Sequence, residues 1–402
     1  MSRFNALLLL AATSLVTPAF SADPPRGTTG EPRPAAAAPA APAAPAEEID
    51  PATGLARTTV VKPLTDAPPV PDTKRAPRVA RPHVELILPT GSAALGKLAE
   101  ALRAGFAAAA EVGAKDSPPI EFTAIDAEGN ALVDACRAAQ ASGALLVVAG
   151  ITRDGATALA RSDCSKGPIL ALNEPQTVAV DLPPTLYWVT LSLENEARQS
   201  ALLAVSEGAH TAVVITSPSA LAKRVQEAFE REWSRDAGQT VARITFSGTD
   251  DDAPLVRERL AGVRADIVFM ALEPAQARMV RPYISGMLPL YATSMSVNPR
   301  AEAIVNVDLQ GVRYPEMPWF VQPDHPAVMV YPAPRNMSVE EERLYALGID
   351  AFRIAMQLLR GEKRAPIDGV TGKLTLEANG QFSRALTPSE VDGGRVIPLR
   401  AP

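Results

Sequence analysis

From residue 83 onward the chain alternates short apolar runs with longer stretches of helical periodicity. His83–Leu88, Ile120–Ile125, Ala144–Ala149, Pro168–Leu172 and Leu186–Leu191 read as strands, with helices over Ser92–Val112, Ala131–Ala141 and about Asp154–Arg161. Ala144–Ala149 is apolar throughout, as a strand covered on both faces requires. Strands alternating with helices imply right-handed βαβ units and a parallel sheet. The texture then restarts. Helices are predicted at Glu194–Glu207, Ala220–Arg235, Leu255–Leu260 and Pro274–Tyr283, with strands at Thr211–Thr216, Val241–Phe246, Asp266–Leu272 and Leu290–Thr293. A long amphipathic helix is predicted over Val339–Arg360, ended by Gly361. Leu344, Leu347, Ala351, Ile354 and Leu358 form its apolar face. Leu374–Leu376 and Phe382–Leu386 flank an Asn379-Gly380 turn and read as a hairpin.

This pattern predicts an α/β fold of two lobes, each a doubly wound, mostly parallel sheet. Lobe 1 is expected over about 83–192 plus C-terminal segments, and lobe 2 over about 194–335. Binding groups in such folds collect at the carboxyl ends of the strands. Ser92, Thr152, Asn173, Ser217, Glu273 and Thr293 stand there and are candidate cleft residues. Helix capping is the competing reading, and it accounts for most of them. Cys136 falls on the helix after the second strand and Cys164 just beyond the helix after the third. In a flavodoxin-like strand order those helices are neighbours, so a disulfide between the two cysteines is expected.

Motifs for chemistry are missing or incomplete. Gly91–Lys97 matches a phosphate-binding loop, but Leu98 stands where Ser or Thr must hold Mg²⁺, so it reads as a helix start. No catalytic residue and no cofactor is assigned. Three histidines scattered along the chain and two cysteines predict no metal site.

Composition divides the chain. Of its 38 prolines, 14 lie between Pro24 and Pro82, and no Phe, Trp or Tyr occurs between Ser21 and Gly105. Residues 23–82 therefore read as a disordered Pro/Ala-rich linker, either a reach element or a plain spacer. Residues 1–22 read as a cleavable signal peptide, with Arg3 before an apolar run and small residues at Ala19-Phe20-Ser21. The expected location is the periplasm, without an integral membrane span in the mature chain. The cysteines lie far from the cleavage point, so no lipoprotein acceptor is expected. A net charge of −6 over 402 residues argues against nucleic acid as a partner. Export also permits the disulfide.

The most specific text is C-terminal. Gly311-Val312-Arg313-Tyr314-Pro315-Glu316-Met317-Pro318-Trp319 is followed by Glu342–Arg353, then by Gly369-Val370-Thr371-Gly372, Asn379-Gly380 and Arg384-Ala385-Leu386. With Leu170–Asn173, these residues resemble the LppC/LpoA family of penicillin-binding protein activators. The resemblance covers about Val84–Leu399 and implies a periplasmic-binding-protein type I-like fold over 83–402. It also implies a non-enzymatic regulator of peptidoglycan synthesis whose partner is a class A penicillin-binding protein. Family members are typically lipoproteins, often with an N-terminal helical-repeat domain, and this sequence is expected to depart from them on both counts. Met317 and Trp319 are candidate partner contacts, against the alternative that Trp319 packs under the lobe junction. A second functional reading is a solute-binding receptor of an ABC transporter, with an amino acid or amide as small-molecule ligand.

Overall fold

The computed structural model describes residues 81–399 except 114–116, 177–181, 237, 285, 287 and 363–364. The signal peptide at 1–22 and nearly all of the linker at 23–82 lie outside the described residues. In chain order the elements are β1 (His83–Leu88), α1 (Gly96–Val112), β2 (Ile120–Ala124), α2 (Asn130–Ser142), β3 (Ala144–Ala149) and α3 (Arg153–Arg161), then β4 (Ile169–Ala171) and β5 (Leu186–Val189). There follow α4 (Leu193–Ser206), β6 (Thr211–Thr216), α5 (Ala220–Arg235), β7 (Gln239–Thr245), α6 (Ala253–Leu260), β8 (Ile267–Ala271), α7 (Pro274–Val280) and β9 (Leu290–Tyr291). The last part holds α8 (Ala303–Asn306), β10 (Val312–Glu316), α9 (Pro318–Val321), α10 (Pro326–Met329), α11 (Val339–Arg360), β11 (Ile367–Asp368), β12 (Lys373–Leu376), β13 (Gln381–Ala385), β14 (Thr387–Asp392) and β15 (Arg395–Pro398).

Two sheets result. One runs β11-β12-β13-β5-β4-β3-β1-β2, the other β15-β14-β10-β9-β8-β6-β7. In each, the alternating strand–helix units give parallel pairs, and the C-terminal strands add antiparallel ones at one edge. The first lobe's strand order 2-1-3-4-5 sets α2 beside α3, and Cys136 and Cys164 are disulfide-bonded there with Cα atoms 6.2 Å apart.

The chain crosses between the lobes three times, after β5, after β10 and after β13. This threading explains why the pattern reads as two units while neither lobe is one continuous segment. The larger of the first lobe's two core clusters lies between its sheet and the pair α1 and α11. It gathers Val84, Leu86 and Leu88 with Phe106, Trp319, Tyr345 and Phe352.

Helix α11 is more deeply buried than a single apolar face predicts. Tyr345–Phe352 is buried at every residue, whereas Leu344 and Leu358 are only half-buried. The cause is close helix contact. A Cβ on Gly348 would sit 2.1 Å from the carbonyl oxygen of Leu102, and one on Gly105 would sit 1.9 Å from that of Tyr345. Only glycine lets the two backbones approach this way. Gly348→Ala must push a backbone carbonyl aside, and is expected to cost about 2–3 kcal/mol. Equilibrium urea unfolding of the variant checks this.

Candidate functional site

The two lobes are bridged by the chain's own charged side chains. Arg343 of α11 meets Glu316 at the end of β10 through two parallel bonds, Nη1 to Oε1 and Nη2 to Oε2, both 2.8 Å. Glu316 is fully buried and also accepts the Met317 amide at 2.8 Å. The guanidinium of Arg343 lies 4.9 Å from the ring centre of Phe320, and that of Arg300 lies 5.0 Å from the same ring. Arg300, in the loop after β9, pairs with Glu342 of α11 at 2.8 Å. Arg153 of α3 reaches across to Glu194 of α4 at 2.9 Å, and Arg224 of α5 binds the same oxygen at 3.1 Å.

The crossovers are tied by the same means. Arg384 of β13, 3 % exposed, donates to the carbonyls of Thr190 and Thr371 at 2.9 Å each. Gln199 of α4 donates to the Arg384 carbonyl at 2.9 Å and accepts the Leu386 amide at 2.8 Å. Asp350, buried in α11, accepts the amides of Val370 and Thr371 at 3.0 and 2.8 Å and the Thr371 hydroxyl at 2.7 Å. Arg384, Arg343 and Gln199 thus hold the chain beside the first, second and third crossovers, while Asp350 fixes the turn between β11 and β12.

Burial raises the pKa of Glu196, whose carboxylate accepts the Ser294 amide at 2.9 Å; the Arg343 charge opposes that shift. Folded Glu196 therefore holds its proton more tightly than the unfolded chain does. Its contribution to stability is full below the unfolded pKa of about 4.3 and is lost as pH rises through the folded value. Glu196→Gln cannot titrate. Relative to the parent it should gain stability as pH rises across that window, which urea midpoints compared at acid and neutral pH would show.

The sequence-predicted cleft residues carry local duties. Thr152 caps α3, accepting the Gly155 amide at 2.9 Å. Asn173 donates to the Ile151 carbonyl at 2.9 Å and accepts the Glu174 amide at 2.9 Å. Ser92 accepts the Leu95 amide at 3.3 Å. Ser217 is buried with its hydroxyl 3.3 Å from that of Ser219. Glu273 forms a capping box with Gln276 at α7, and buried Thr293 accepts the Met295 amide at 3.3 Å. Met317 and Trp319, 1 % and 4 % exposed, are core residues of the first lobe. The expectation that they offer a partner contact fails because the chain turns inward at this crossover and packs both under α11.

Sequence reasoning missed Glu128. Its carboxylate accepts the amides of Ile151 and Thr152 at 2.8 and 3.0 Å and the hydroxyl of Thr152. It thereby takes the positive end of α3, where free backbone amides would favour an anion. Burial raises its pKa, against the pull of those hydrogen bonds. An acidic residue just before a helix start gives no such signal in sequence, because the amides it meets lie 23 and 24 residues away.

Comparison with known proteins places this architecture. Residues 78–258 and 255–394 match the family model described as "LppC putative lipoprotein". The chain belongs to the LppC family. The penicillin-binding protein activator LpoA of Photobacterium profundum is 25 % identical over 334 residues, which are 73 % of this chain and 53 % of that protein. This chain thus spans about half the length of the curated relatives it matches. The solved C-domain of LpoA from Haemophilus influenzae, described as a regulator of PBP1A, aligns with TM-score 0.66 and 21 % identity, covering 79 % of this chain and all of that one. A structure from Chromobacterium violaceum, described as a "putative branched-chain amino acid ABC transporter", aligns with TM-score 0.66 and 37 % identity over 77 % of this chain and 99 % of that one. The fold is therefore the two-lobed α/β fold shared by LppC-family and periplasmic-binding-protein-like chains. Among the described residues no helix is long and apolar enough to cross a membrane.

Proposed function

We propose that this LppC-family chain is a non-enzymatic regulator of peptidoglycan synthesis, acting in the periplasm by contact with a class A penicillin-binding protein. The observation that carries this reading is the bridged lobe junction. A receptor for an amino acid needs free donors for its carboxylate and a junction that opens. Here Glu128 sits on the α3 N-terminus and Arg343–Glu316, Arg384 and Gln199 brace the crossovers. Such a fold suits a stiff surface for a protein partner. The names borne by the curated relatives support the same partner class.

The signal peptide read at 1–22 would deliver the chain to the periplasm, and the linker at 23–82 would join that signal to the folded lobes. A purified class A penicillin-binding protein should bind the immobilised chain saturably, and no binding by any such enzyme from the same cell would sink the proposal.

The 37 % identity to the Chromobacterium violaceum structure favours a second reading, a solute receptor. That reading requires a ligand to displace Glu128 or to bind beside it. A thermal-shift panel of branched-chain amino acids and their amides separates the two, since a ligand of the native state raises the melting temperature. No shift is expected.

A further inference from the structure

We propose that His83, Glu85 and Glu121 form a binding site for a divalent cation of the zinc class, at the end of the first lobe where the chain enters β1. His83 and Glu85 are two apart on β1 and point to the same face of the sheet. Glu121 lies directly opposite Glu85 in the parallel β1–β2 register. His83 and Glu85 are 1 % and 4 % exposed, while Glu121 is exposed. One donor atom from each falls within 4.8 Å of the others.

Two features call for a cation. First, two carboxylates face each other across neighbouring strands, an arrangement that repels. Among the described residues their ion pairs within 4.0 Å involve only His83. Oε1 of Glu85 is buried with no hydrogen-bond partner there, and a buried carboxylate oxygen without a partner is costly. Second, the imidazole is oriented from outside the cluster. Nδ1 lies 2.7 Å from the Arg81 carbonyl, which can only accept, so Nδ1 carries the proton. In the neutral ring Nε2 then presents its lone pair 3.2 Å from Glu85 and 4.0 Å from Glu121.

One neutral imidazole and two carboxylates are a donor set for zinc and similar first-row ions. A backbone carbonyl holding the far ring nitrogen is the usual outer support of a metal-bound histidine. Tetrahedral bonds of about 2.0–2.1 Å set donors about 3.3 Å apart; the His83–Glu85 spacing of 3.2 Å meets this, and Glu121, at 4.0 Å from the imidazole, must close in on the ion. Solvent would complete the coordination on the exposed Glu121 side. The ion would tie β2, the edge strand of its sheet, to β1. Counting histidines and cysteines along the sequence predicts no metal site. The fold changes that by bringing in Glu121 from 38 residues beyond His83.

The test uses the untagged full chain after chelator treatment, titrated with ZnCl₂ in a calorimeter, with MgCl₂ as control. One Zn²⁺ per chain is expected, with no comparable Mg²⁺ binding and a higher melting temperature in zinc. Glu121→Gln, at an exposed position that leaves the core intact, should weaken zinc binding by about 10-fold or more, and His83→Gln should abolish it. Absence of saturable zinc binding would overturn the proposal. Equal zinc affinity in the parent and in Glu121→Gln would overturn it as well.

Discussion

Glu316→Gln is expected to destabilise the fold by about 3–5 kcal/mol, because it removes one member of a buried ion pair and leaves the other uncompensated. Arg343 is only 13 % exposed and its two Nη groups both point at Glu316. A glutamine amide would present donors to donors on one side. The Met317 amide, now held by the same carboxylate, also loses its strongest acceptor. Equilibrium unfolding in urea measures the loss. A Glu316→Leu/Arg343→Met double variant should recover much of it, since an apolar pair of similar volume replaces both charges. A single variant as stable as the parent would show that the junction does not depend on this pair.

Trp319→Ala is expected to cost a similar amount, about 3–5 kcal/mol, through the cavity left in the first lobe. The indole is buried, its ring centre is 5.5 Å from that of Tyr345, and its Nε1 donates to Glu342 at 3.2 Å. Glu342 is in turn the partner of Arg300 from the other lobe. The substitution therefore disturbs the core and one interlobe tie together. A surface anchor would behave differently: its loss would change stability by no more than about 0.5 kcal/mol and act on binding instead. The denaturation midpoint separates the two.

Much of the fold was legible because its determinants are local. β1, β3, β6, α5 and α11 have the bounds that their periodicity predicts. α11 is also marked by the Ser338–Glu341 capping box and by Gly361 in a left-handed conformation. The strands β10, β14 and β15 were not read. β10 contains Pro315 and β14 contains Pro388, and these two prolines face each other in the antiparallel register. Proline lacks the ladder donor, so both segments look like loops in sequence. They pair only because the third crossover returns the chain to the second lobe.

The site was less legible than the fold. Glu196, Glu316, Arg343 and Arg384 are spread over nearly two hundred residues, and a single charged side chain in sequence reads as solvent-facing. Their burial is a property of three crossovers meeting, which no local pattern encodes. The small hydroxylic residues at strand ends were found where expected, but their hydrogen bonds are spent on turns and helix starts. Asp350 stood within a recognised motif. What it does, holding the Val370–Thr371 turn against α11, appears only in three dimensions.

The most direct test of the function is the rate of glycan-strand polymerisation and cross-linking by a purified class A penicillin-binding protein, with and without the full chain in excess. The rate is expected to rise saturably with added chain. The chain alone is expected to consume no lipid-linked precursor. An unchanged rate at concentrations where the two proteins bind would contradict the proposed role.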